Sequence, residues 1–215
     1  MKSPVHWGMV ALGVVVAAAA AYVTHSLLAV SPVPDSVHPI PILNNSPVVE
    51  APGGHAYQYI AAPNLTWDAA RAGAEKRSYR GQPGYLATID DADEYQFIID
   101  RVFPHTYSDV TYLGGRQTRP GEWRWVTGPD GAEDGGKGRL FWRGDEQGAV
   151  QGNHYANWMS SAFQHGGRWD VSKVCCVTLF SYGIPQFSTS LGNGFEEEGV
   201  AGYLVEFGGR RPGTK

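Results

Sequence analysis

The side chains with the most chemistry in this 215-residue chain sit in its glycine-rich second half. Carboxylates at Asp130, Glu133, Asp134, Asp145, Glu146 and Asp170, followed by Glu196, Glu197 and Glu198, offer the hard oxygen donors that a calcium ion collects. None of their spacings approaches an ordered calcium loop, so a solvated acidic loop is the simpler expectation. Interleaved with them are Trp142, Tyr155, Asn157, Trp158, Phe163 and Trp169, whose rings can stack on a ligand or fill a pocket. His55, His105, His154 and His165 are scattered, without the pairing or cysteine neighbours of a zinc site. No nucleophile elbow, phosphate-binding loop or nucleotide fingerprint occurs, so the residue types favour binding over catalysis.

Composition narrows the classes further. With 42% apolar and 18% charged residues the chain can build a core, and 28 glycines beside 7 tryptophans and 11 tyrosines suit a loop-rich domain with aromatic anchors. A formal charge of −4 removes the broad attraction to phosphate on which nucleic-acid binders rely, so DNA and RNA are not expected partners. Cys175 and Cys176 are the two cysteines, and neighbours in sequence cannot staple distant segments. An intermolecular bond, a vicinal disulfide and simple burial all stay open for them.

Positioning these residues requires a domain, and the N-terminus is something else. Trp7 to Val23 is uncharged, and the apolar character resumes at Leu27 to Val30. A spanning helix needs about 20 apolar residues, whereas Ala19 and Ala21 would suit cleavage of a signal peptide. Residues 1–30 are therefore expected to be a transmembrane anchor or a signal peptide. Lys2, the sole charge before the run, stays cytoplasmic by the positive-inside rule, which places the rest in the periplasm or outside the cell, anchored or secreted. Residues 31–53 are proline-rich without a helical or alternating period, as in an extended tether.

From residue 54 the pattern is that of an α+β domain. Ala56 to Ile60 alternates like an edge strand, and Thr66 can cap a helix from 67 to about 77 with Trp67, Ala70 and Ala74 on one face. Gly84 to Ile89 returns to strand character. Asp91 with Glu94 makes a capping-box-like start for a second helix, whose Tyr95, Ile98, Ile99 and Val102 follow a helical period up to Pro104. Strand-like pieces then recur at 111–114, 122–127, 174–179 and 202–207, separated by glycine-rich stretches.

In order, Tyr57, Thr66-Trp67-Asp68-Ala69-Ala70, Tyr85-Leu86-Ala87-Thr88-Ile89 with Glu94, Tyr112-Leu113-Gly114-Gly115, Glu122-Trp123-Arg124-Trp125-Val126-Thr127-Gly128, Tyr155-Ala156-Asn157-Trp158 and Tyr203-Leu204-Val205-Glu206-Phe207 resemble the C-type lectin-like domain. The resemblance covers residues 54–208 and leaves 209–215 as a basic tail expected to be disordered. It implies a C-type lectin-like fold of two helices, small antiparallel sheets joining the chain ends, and a long irregular loop region that forms the ligand face. Trp123 and Trp125 are expected in the core.

The departures from the family pattern bear on function. Sugar-binding members hold Ca²⁺ through a Glu-Pro-Asn or Gln-Pro-Asp triplet and a Trp-Asn-Asp triplet, and neither occurs here. The usual calcium-dependent sugar site is therefore not expected. A divergent metal site would have to come from Glu133, Asp134, Asp145, Glu146 and Asp170. The family's disulfide between the first helix and the last strand is replaced by Ala74 and Val205, which are expected to face each other as apolar residues. The resulting expectation is an exported, non-enzymatic recognition module that binds a glycan or protein through Trp142, Tyr155, Asn157, Trp158, Phe163 and Trp169. The alternative is an accessory subunit of a membrane protein complex, held by helix packing of its small N-terminal residues.

Overall fold

The computed structural model describes residues 44–102, 110–145, 147–160, 162–163, 174–180, 185–190, 192 and 199–209. The expected anchor or signal and the tail from 210 onward lie outside these residues. Among the described residues no helix is long and apolar enough to cross a membrane.

The sheet begins before residue 54. Val49–Glu50 (β1) pairs antiparallel with Ala56–Ala61 (β2), and the Ser46 hydroxyl accepts from the Tyr59 backbone N–H at 2.9 Å. β2, expected at an edge, thus has neighbours on both sides, β1 and the last strand Val200–Phe207 (β11). Both its faces are packed, Tyr57 and Tyr59 in one apolar cluster and Ala56 and Ile60 in the other, so it has no exposed border.

Both helices start where their caps require. Thr66 Oγ1 accepts from Ala69 N at 3.2 Å and opens α1 (Trp67–Glu75), whose buried Trp67, Ala70 and Ala74 recur at helical spacing. Asp91 accepts from Glu94 N at 2.8 Å and opens α2 (Ala92–Arg101). The reciprocal bond of a capping box is displaced by one residue, because Glu94 Oε2 accepts from Asp90 N at 2.7 Å.

Between and after the helices lie Ser78–Tyr79 (β3), Gln82–Leu86 (β4), Val110–Arg119 (β5), Glu122–Trp125 (β6), Arg139–Arg143 (β7), Ala149–Val150 (β8), Cys176–Phe180 (β9) and Gln186–Ser190 (β10). The central path runs β1-β2-β11-β5-β6-β7-β8, with β4 also on β11 and the β9–β10 hairpin on β5. β11 and β5 run parallel, so the sheet is mixed rather than antiparallel throughout. β7, β8 and β10 arise inside stretches expected to be loops. Gly114 lets β5 pass close to the neighbouring chain, since a Cβ there would stand 1.9 Å from Thr127 Oγ1 and 2.6 Å from the Leu86 carbonyl.

Two apolar clusters fill the interior. One gathers α1 with Leu86, Tyr112, Val205 and Phe207, and holds Ala74 and Val205 together, both fully buried. The other gathers α2 with Leu113, Trp123, Trp125, Phe141, Val177 and Phe187. Trp123 and Trp125 lie in this core as expected. Cys175 and Cys176 are joined in a disulfide, against which Gly192 packs with a φ of +70°.

Candidate functional site

In the long segment between β8 and β9 the described residues 151–160 and 162–163 form no strand, and an aromatic cage holds them to the sheet. Trp158 sits at the centre, with ring centroids 4.8 Å from Phe163, 5.4 Å from Trp123, 5.6 Å from Phe187, 6.1 Å from Phe141 and 6.2 Å from Trp142. Backbone bonds lock the same point: Phe187 N donates to Asn157 O at 2.8 Å and Met159 N donates to Phe187 O at 2.9 Å. Thr189 Oγ1 closes the turn beyond by donating to Ala162 O at 2.7 Å. Offset and edge-to-face ring pairs of this kind add about 0.5–1.5 kcal/mol each beyond the area they bury.

The sequence-expected ligand residues divide accordingly. Trp142, Trp158 and Phe163 meet directly in this cage, and Tyr155 joins through Phe187 at 6.0 Å and Tyr95 at 5.5 Å. Asn157 lies beside Trp158, its Oδ1 accepting from Gln186 Nε2 at 3.4 Å. All five are half-buried: one side packs on the core and the other meets solvent. Trp169 lies outside the described residues. Burial pushes the Tyr155 phenol up to about 12, with Tyr95 adding to it, so that hydroxyl remains a neutral donor at physiological pH. His154, next to it, is held below the usual histidine range by burial and then by the Arg139 charge. It is a neutral ring near pH 7.

The carboxylates proposed as metal ligands are dispersed. Asp134 pairs with Arg124 at 3.0 Å and Lys137 at 3.9 Å, while Asp145 caps its own turn by accepting from Gln147 N at 3.1 Å. Glu133 also has interacting neighbours, and Glu146 and Asp170 lie outside the described residues. The donors that the structure does bring together among the described residues are others: His55, Glu94 and Glu206, all buried, with ligand atoms within 4.8 Å of one another. His55 immediately precedes β2, Glu206 is the penultimate residue of β11 and Glu94 lies in α2.

The protein already occupies this trio's lone pairs. Glu206 Oε1 meets His55 Nδ1, and Oε2 accepts from Thr88 N at 3.1 Å. Glu94 Oε1 accepts from the Tyr57 hydroxyl, and Oε2 accepts from Asp90 N. A hard cation would need these oxygens free, and a histidine nitrogen is a poor calcium ligand, so the set fits an internal clasp better than a calcium site. Tyr85 belongs to it as well, its phenol pushed far up by burial and by the Glu206 carboxylate.

A second buried knot lies at the start of β7. Arg139 of β7 pairs with both Asp90 and Asp130. Burial, then the Asp90 carboxylate, push Asp130 up to about 7 against the pull of Arg139. Sequence reasoning did not single out Glu94 or Glu206 for burial. The available signal was a charge inside the apolar run Tyr203-Leu204-Val205-Glu206-Phe207.

No protein-family model matches the chain. A stretch of 106 residues, 49% of this chain, is 36% identical to halomucin of Haloquadratum walsbyi and spans only 1% of that protein. By structure, the mouse scavenger receptor C-type lectin carbohydrate-recognition domain superposes with a TM-score of 0.50 at 16% identity, covering 76% of this chain and 96% of that one. The EPNH mutant of CEL-I, a C-type lectin of Cucumaria echinata, superposes with a TM-score of 0.50 at 14% identity, covering 75% and 94%. At these identities the likeness speaks for architecture, and with the ordered motifs and the paired chain ends it gives the conclusion that this chain has a C-type lectin-like fold.

Proposed function

We propose that the chain is an exported recognition module that binds a glycan through the rim of its aromatic cage, without the usual calcium-dependent site. The observation that carries this is the half-buried position of Trp142, packed against Trp158, and of Asn157, held by Phe187 and Gln186, both keeping a solvent-facing side. A tryptophan face offers sugars a stacking platform, and an amide pair such as Asn157 with Gln186 offers donors and acceptors at fixed positions. The domains of similar fold include one named as a carbohydrate-recognition domain, which favours a sugar over a protein ligand. Residues 1–30 would tether the module to the membrane or direct it across.

The full chain on a glycan array, with Ca²⁺ and with a chelator, tests this reading. It expects retention of a defined set of glycans in both conditions, and at least a tenfold loss in Asn157→Ala/Gln186→Ala with unchanged melting. Retention of no glycan, or loss of binding in chelator alone, would contradict it and direct the search to a protein ligand or to a metal.

A further inference from the structure

Away from the cage, α1, the β5–β6 hairpin and the turn at Glu133–Gly136 enclose an open cleft of about 840 Å³. Five cations line it, Arg71, Arg116, Arg119, Arg124 and Lys137, in a chain whose net charge is −4. The two carboxylates in its wall are shared out, Asp134 between Arg124 at 3.0 Å and Lys137 at 3.9 Å and Glu122 with Arg143 at 3.0 Å, while Arg71 pairs with Glu75 at 2.8 Å, so the lining carries five cations against two acids. What remains is positive. Arg119 is exposed with no ion-pair partner among the described residues, and the Lys137 side chain is 64% exposed. Arg116 is laid over the Trp67 ring at 4.7 Å, which fixes its guanidinium plane at the cleft edge. Its pairing with Asp68, an acid 78% exposed, is a surface contact that a ligand anion can replace at little cost.

We propose that this cleft is a second binding site, for a carboxylated or sulfated polysaccharide. Planar guanidinium groups match both anions with paired hydrogen bonds, and Gln117 and Thr118 add polar atoms suited to sugar hydroxyls. The class follows from what else lines the cleft. Val126 is its one aliphatic side chain, so the apolar anchor that a peptide would use is missing. No aromatic ring lines it, so the stacking platform that single-stranded nucleic acid would use is missing too. The site is independent of the cage rim and stands whether or not that rim binds sugars.

The test measures binding of the full 215-residue chain at 150 mM salt to heparin, polygalacturonate, neutral dextran, duplex DNA and polyglutamate. Heparin or polygalacturonate binds and dextran does not; which of the two binds separates sulfate from carboxylate recognition. Arg119→Glu/Lys137→Glu lowers that affinity at least tenfold, while Lys76→Glu/Arg101→Glu, an equal charge change outside the cleft, stays within twofold. If the reversal variant melts early, Arg119→Gln/Lys137→Gln takes its place, with a fivefold loss expected. Failure to bind either acidic polysaccharide, equal losses in both variant pairs, or equally tight binding of DNA or polyglutamate would overturn the proposal.

Discussion

Where the two ends of the folded unit meet, β2 and β11 share a register from Ala56–Phe207 to Ala61–Gly202, and a buried polar clasp of His55, Glu206, Glu94 and Tyr57 ties α2 onto that ladder. The described residues between β8 and β9, 151–160 and 162–163, are held differently, by ring contacts converging on Trp158 and by two backbone bonds to Phe187. The first region draws on long-range hydrogen bonding, the second on apolar packing around one side chain. The contrast teaches how an irregular loop region can present a fixed surface: one aromatic plug takes the place of a sheet, and the residues around it keep their outer faces for ligand.

Removing the plug should break the contrast most sharply. Trp158→Ala is expected to cost about 3–5 kcal/mol, the range for deleting a large aromatic from a packed site, read from denaturant unfolding. A loss under about 1 kcal/mol would mean that the loop region is held by something else.

Next comes the clasp. Glu206→Ala leaves His55 Nδ1 and Thr88 N facing a void, and removal of one partner from a buried charged network costs about 3 kcal/mol. Double mutation with His55→Phe should recover part of that loss, because it removes the orphaned ring nitrogen and leaves only Thr88 N without its acceptor. Non-recovery would show that the pair does more than satisfy itself.

Asp130 sharpens the comparison through pH. Its acid is raised in the folded state to about 7, so the stability it contributes is present below the unfolded carboxylate range and is lost as pH rises through 7. The slope from this group alone approaches ~1.4 kcal/mol per pH unit at most. Melting temperatures of Asp130→Asn between pH 4 and 8 are therefore expected to vary less than those of the parent. An equal slope in both would assign the pH dependence elsewhere.

The smallest effect is local. Thr66→Ala, which removes the α1 cap, should cost about 1 kcal/mol and leave the cage intact.

Legibility in the sequence follows the same division. α1 and α2 could be read because their periods, caps and stops are encoded within a dozen neighbouring residues, and Trp123 and Trp125 could be assigned to the core from type and position. β7 and β10 could not, because their partners β6 and β9 are chosen by tertiary pairing inside glycine-rich sequence. Likewise Trp158 was legible as a loop aromatic, but that its ring plugs the core depends on Phe187, Phe141 and Trp123, which come from three separate strands. Glu94 was legible as a cap and not as a member of the clasp, since Tyr57 and Glu206 reach it only after the chain ends pair.

Hydrogen exchange of the full chain, parent against Trp158→Ala, tests the central claim most directly. The expected result is loss of protection concentrated in residues 151–163, with β2 and β11 keeping theirs. Uniform loss across both regions, or unchanged protection in the loop segment, would contradict an aromatic plug as the device that fixes the ligand face.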